Sequence, residues 1–142
     1  MVKSFHDLSE KEILALAISL EEEDGRIYGE FADRLKENFP STASALEAMR
    51  EEESGHRHRL IELFQERFGD NIPLIRRQDV KGFVHRPAIW LNPTVSPQRI
   101  RNQVQTMESE TYRFYQRALA KTTDAGTRKL LIQKRPRIHP FF

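Results

Sequence analysis

The chain has 142 residues, no cysteine and a formal net charge of +2, with 38% hydrophobic and 31% charged residues. This excludes disulfides, a thiolate nucleophile, zinc–thiolate sites and iron–sulfur clusters, and the small net charge argues against a nucleic-acid partner. No apolar run approaches the ~18–20 residues of a membrane span. The opening MVKSFHDLSEKE lacks the apolar stretch of a signal peptide, so the expected location is the cytoplasm, and the expected form is one domain over 1–142.

Segment 9–38 predicts the first helix. Ser9 is a good N-cap, and Glu12 three residues on completes a capping box. Leu14, Ala17, Leu20, Tyr28, Phe31 and Leu35 recur at helical spacing. Pro40 and Ser41 punctuate the chain, and a second helix is expected from about 42 to 68, with Leu46, Met49, Leu60, Leu63 and Phe64 inward and Gly69-Asp70 ending it. Segment 69–96 holds Pro73, Pro87, Pro93 and the one tryptophan, Trp90, without a sustained period. A connection of about 28 residues is long for a compact domain unless it crosses the length of a helical bundle and joins two helix pairs. Ser96-Pro97 opens a third helix, with proline at its first position. Its stripe is Ile100, Val104, Met107, Thr111, Phe114, Ala118 and Leu119. Thr123 or Asp124 caps a fourth helix, which meets Pro136 and Pro140 and should be short. The fold class is all-α: four helices, one long crossover between the second and third, and an atypical tail over 134–142.

The position of certain acids carries the chemistry. At ~100° per residue, Glu21 falls among Leu14, Ala17 and Tyr28, while Glu22 and Glu23 point away. The run Glu21-Glu22-Glu23-Asp24 reads otherwise as a solvated face. Glu53 and His56 share the apolar stripe of the second helix, at i and i+3 on one side. Glu108 lies at the edge of the third stripe, and Glu110 is expected to face out. Three inward carboxylates with one histidine cannot neutralise one another, but a shared cation can neutralise them. Oxygen and imidazole donors without sulfur suit iron or manganese, with zinc also compatible. The metal ligands read here are Glu21, Glu53, His56 and Glu108. Tyr28 and Tyr115 read as core residues that orient carboxylates or take part in electron transfer. The alternatives are a non-catalytic iron buffer or sensor, and a metal-free helical dimerisation domain whose inward acids pair with Arg26, Arg57 or Arg113.

The segment SLEEEDGRIYGEFA resembles the first helix of rubrerythrin-type ferritin-like domains, where a ligand glutamate precedes a tyrosine by seven residues, here Glu21 and Tyr28. MESETYRFYQRA repeats that spacing with Glu108 and Tyr115, and REEESGHRHRL resembles the second-helix motif with Glu53 and His56 as ligands. The similarity covers residues 7 to 133. Its nearest likeness is to the N-terminal domain of membrane-bound ferritins, the rubrerythrin–vacuolar iron transporter fusions. The resemblance implies a ferritin-like four-helix bundle with a di-iron site, and oxidation of ferrous iron or reduction of peroxide with oxygen or hydrogen peroxide as substrate. The departure lies in the fourth helix, where the family places a second Glu-x-x-His. This chain reads KRPRIHPFF there and has no acidic residue after Asp124, as a truncated or altered reading frame would produce. A short fourth helix should leave an apolar groove that a homodimer covers, by helix exchange if the neighbour's helix fills it.

Overall fold

The computed structural model describes residues 3–83 and 96–133. Four helices account for most of them: α1 (Glu10–Leu35), α2 (Pro40–Phe68), α3 (Pro97–Lys121) and α4 (Ala125–Ile132). The bundle is all-α, as the sequence predicts, and among the described residues no helix is long and apolar enough to cross a membrane. The end of the crossover (84–95) and the tail (134–142) lie outside the described residues. Trp90, Pro87, Pro93, Pro136 and Pro140 fall there.

The helix ends follow local chemistry. At the start of α1, Ser9 Oγ accepts from Glu12 N at 3.2 Å and Glu12 Oε1 accepts from Ser9 N at 3.1 Å, closing the expected capping box. α1 stops at Leu35, three residues short of the expected end at 38. Lys36, Glu37 and Asn38 are exposed, so no burial extends the helix through them. α2 starts two residues earlier than expected, because Pro40 occupies its first turn with Phe39 before it. A proline there has no N–H to lose and its φ suits a helix, so it opens α2 and does not separate it from α1. Gly69 ends α2 at φ 89°, a left-handed conformation that favours glycine. Of the two candidate caps of α4, Asp124 is the one used, its Oδ2 accepting from Thr127 N at 2.9 Å.

The core comes in two blocks. One joins Leu16 and Leu20 of α1, Leu60 and Phe64 of α2, Phe114 and Ala118 of α3, and Leu131 of α4. The other joins Ile27, Tyr28 and Phe31 of α1, Leu46 and Met49 of α2, and Ile100, Val104 and Met107 of α3. Between the blocks, at one level on three helices, lie the buried polar residues Glu21, Asp24, Glu53, His56, Glu110 and Thr111. The hydrophobic effect holds the bundle above and below this layer.

Polar ties fix the end of the bundle where α4 begins. Glu10 of α1 accepts from the backbone N–H of Thr123 at 2.5 Å and from Arg67 of α2 at 3.2 Å, and Arg67 also donates to Thr127 at 3.0 Å. Lys121 Nζ donates to the carbonyls of Phe5 (3.2 Å), Leu8 (2.7 Å) and His6, pinning the N-terminal 3-10 turn (Phe5–Asp7) to α3. Lys3 and Val80 form a parallel bridge that ties the chain start to the crossover.

The Thr123 N–H, then the Arg67 guanidinium, hold the Glu10 carboxyl below its ordinary value of 4.5. A depressed folded pKa adds stability above the unfolded value that is lost as pH falls through the folded value. Glu10→Gln should therefore cost about 1 kcal/mol at neutral pH, and the difference from wild type should shrink as pH falls below 4.5. Urea unfolding at neutral and acidic pH checks this.

Candidate metal centre

Glu21 is 1% exposed, Glu53 5% and His56 7%. Each sits on the inward face for the reason seen in sequence: helical phase places it between apolar residues of its own stripe. Gly25, one turn after Glu21, faces α2 at this level, and a Cβ in its place would stand in ordinary contact, 3.6 Å from Glu53 Cβ. The imidazole Nδ1 of His56 lies 3.9 Å from Glu21 Oε2 and 3.9 Å from Glu53 Oε1. One ligand atom from each of the three residues lies within 4.8 Å of the others.

Two tyrosines brace this layer reciprocally. Tyr115 of α3 donates to Glu21 Oε1 of α1 at 2.6 Å, and Tyr28 of α1 donates to Glu108 Oε1 of α3 at 3.1 Å. The pairs Glu21/Tyr28 and Glu108/Tyr115 share a seven-residue spacing, so two parts of the chain with one pattern cross-link each other. Burial, then the charges of Glu53 and Asp24, push the Tyr115 phenol well above its ordinary value of 10.0, so it stays a neutral donor. Glu108 is half-buried and stands outside the Glu21–Glu53–His56 group.

Two sequence expectations are corrected. Glu110 does not face out: it is 9% exposed and accepts from Arg77 Nη2 at 2.5 Å. Arg77 comes from the crossover, where a 3-10 turn (Arg77–Asp79) turns it inward. It also lies 3.7 Å from Glu23 Oε1 and 5.3 Å from the Phe83 ring centroid. The helical wheel failed here because the covering group comes from an aperiodic segment. Asp24 is likewise not part of a solvated face: it is 2% exposed and accepts from Thr111 Oγ1 at 3.0 Å. Its only signal was its i+3 position from Glu21, hidden in a run of four acids. Arg57, one of the arginines considered as a partner for an inward acid, lies 3.8 Å from the outward Glu22.

The donor set fits a metal ion on its own chemistry. Two buried carboxylates converge on an imidazole nitrogen, and such a layer is costly unless a cation or proton shares it. Donors around one ion with ~2.1 Å bonds stand ~3–4 Å apart, so small side-chain rotations would close the observed spacing. An all-helical bundle with an interior carboxylate–histidine layer defines the class of ferritin-like carboxylate proteins. The rubrerythrin family profile matches residues 12–133, and the chain belongs to that family. No curated protein and no solved structure gives a significant match.

Tyr115→Phe should leave the helices intact and remove the donor to a buried carboxylate, costing about 1–3 kcal/mol in urea unfolding at neutral pH. Because the folded pKa of Tyr115 is raised, the stability tied to its neutral form is present below pH 10.0 and is lost as pH rises beyond it. In an ultraviolet titration of the wild type, Tyr115 should stay un-ionised well beyond pH 10.0.

Proposed function

We propose that the chain binds iron through Glu21, Glu53 and His56, joined by Glu108, and acts as a ferritin-like oxidoreductase that oxidises ferrous iron or reduces peroxide. The observation that carries this reading is the buried convergence of Glu21, Glu53 and His56 within 4.8 Å in a chain of the rubrerythrin family. Oxygen and nitrogen donors without sulfur favour iron or manganese, and zinc remains compatible. Bound iron would supply the electrons that reduce oxygen or hydrogen peroxide, one from each Fe(II) that becomes Fe(III).

The residues of this chain do the rest. Glu21 and Glu53 would hold the ion, and their negative charge would offset the rise from Fe(II) to Fe(III) and so favour oxidation. Tyr115 fixes one oxygen of Glu21 and leaves the other, Oε2, turned toward His56. Tyr28 holds Glu108 in the same manner. The apolar blocks on either side keep bulk water from the carboxylates, which strengthens their hold on a cation. The likeness of SLEEEDGRIYGEFA and REEESGHRHRL to the N-terminal domain of rubrerythrin–vacuolar iron transporter fusions supports iron handling as the task.

A second reading rests on α4. From Ala125 to the end of the chain there is no acidic residue, so α4 supplies no carboxylate. A centre with ligands on three helices suits an iron buffer or sensor without turnover. A second copy of the chain would complete the open side as a homodimer, which light scattering tests. Aerobic Fe(II) oxidation faster than buffer separates the catalytic reading from the buffer.

The direct test is metal content by plasma mass spectrometry after Fe(II) loading. Wild type should retain iron, Glu53→Ala should lose most of it, and Glu22→Ala should match wild type, since Glu22 is exposed. Iron retained in full by Glu53→Ala would contradict the assignment. Acidification should release the metal as the ligands protonate.

A further inference from the structure

α1 and α3 meet as a polar zipper of three rungs. Tyr115 donates to Glu21 at 2.6 Å, Thr111 to Asp24 at 3.0 Å and Tyr28 to Glu108 at 3.1 Å. The partners on α3 descend as those on α1 rise, so the two helices pass antiparallel. Each rung sets one carboxylate against one neutral hydroxyl. On α1 the series is Glu21, Asp24, Tyr28, and on α3 it is Glu108, Thr111, Tyr115, with the same spacing. The two series differ at the middle position, an acid on α1 and a hydroxyl on α3. Two acids facing each other there would repel strongly in a dry interior. Thr111 instead offers Asp24 a donor, which lowers the cost of burying that acid.

The outer rungs are absorbed by the metal-site reading, and the middle rung is not. Asp24 is 2% exposed and stands outside the Glu21–Glu53–His56 group. It lies one turn after Glu21, about 4.5 Å along the helix axis. After burial itself, the charges of Glu53 and Asp24 raise the Tyr115 phenol. That phenol touches Glu21, so the field of Asp24 reaches the ligand carboxylates. Charges in so dry a layer act strongly at this range. Thr111 orients the Asp24 carboxylate and brings no charge of its own.

We propose that Asp24, positioned by Thr111, sets the charge preference of the centre: it is a fixed negative charge beside the ligands that favours a trivalent ion over a divalent one. The proposal rests on the metal-site reading above. An ion with one more positive charge gains one more unit of attraction to this carboxylate. Fe(III) is thereby stabilised over Fe(II), and the midpoint potential for adding one electron to Fe(III) falls.

The test is an anaerobic redox titration of the iron-loaded protein, comparing wild type with Asp24→Asn, Thr111→Val and Glu22→Gln. Asparagine keeps the shape of Asp24 and can still accept from Thr111, so the charge alone is removed. Circular dichroism and iron content check fold and loading. At the potential where wild type holds equal Fe(II) and Fe(III), Asp24→Asn should hold about tenfold more Fe(II) than Fe(III), with unchanged iron content. Thr111→Val should shift the ratio the same way by less, and should add nothing when combined with Asp24→Asn. Glu22 is exposed, and Glu22→Gln should match wild type. An unmoved ratio in Asp24→Asn would overturn the proposal, as would an equal shift in Glu22→Gln. Loss of iron from Asp24→Asn would also overturn it, by making Asp24 a ligand. If Asp24→Asn does not fold, an unmoved ratio in Thr111→Val overturns the proposal by itself. A wild type that binds no iron would bring down the metal-site reading, an outcome distinct from normal loading with an unmoved ratio.

Discussion

Two carboxylates buried side by side organise this molecule. Glu21 and Glu53 sit at one level of the bundle, almost without solvent. Burying a charge is costly unless it is paired and hydrogen-bonded. The surrounding residues answer that demand: His56 between the two acids, the Tyr115 hydroxyl on Glu21, and Thr111 on the neighbouring Asp24. The apolar blocks above and below make the layer dry, so its electrostatics are strong. The same low polarity that makes the acids expensive to bury makes them effective toward a cation.

The crossover serves more than connection. It delivers Arg77 to the layer, where its guanidinium meets Glu110 and lies near Glu23. α3 is thereby tied to α1 through a segment that belongs to neither helix. Arg77, Glu23 and Glu110 form a structural ion-pair network beside the candidate centre. Breaking a buried pair of this kind leaves an uncompensated charge, so the crossover is bound to the bundle electrostatically as well as by packing.

Much of this was legible in the residues. The Ser9/Glu12 capping box, the Gly69 stop and the proline at the start of α3 mark helix ends by local chemistry, and all three hold. Glu21, Glu53 and His56 stand out because helical phase places them among leucines and methionines, and the structure gathers them. Phase alone was insufficient in two places. Glu110 lies outside the apolar arc of α3 and is buried by a residue from an aperiodic segment, a contact that no periodicity encodes. Asp24 is masked by the three acids before it. The start of α2 is ambiguous in sequence because a proline can either break a helix or open one, and the backbone shows that Pro40 opens it.

Glu21, Glu53 and His56 are proposed to hold one cation together. X-ray absorption on protein loaded anaerobically with Fe(II) tests it most directly. A shared centre should show a coordination sphere of oxygen and nitrogen alone, with the multiple-scattering signature of imidazole, and should lose that signature in His56→Ala. Iron surrounded only by water, or an imidazole signature that persists in His56→Ala, would contradict it.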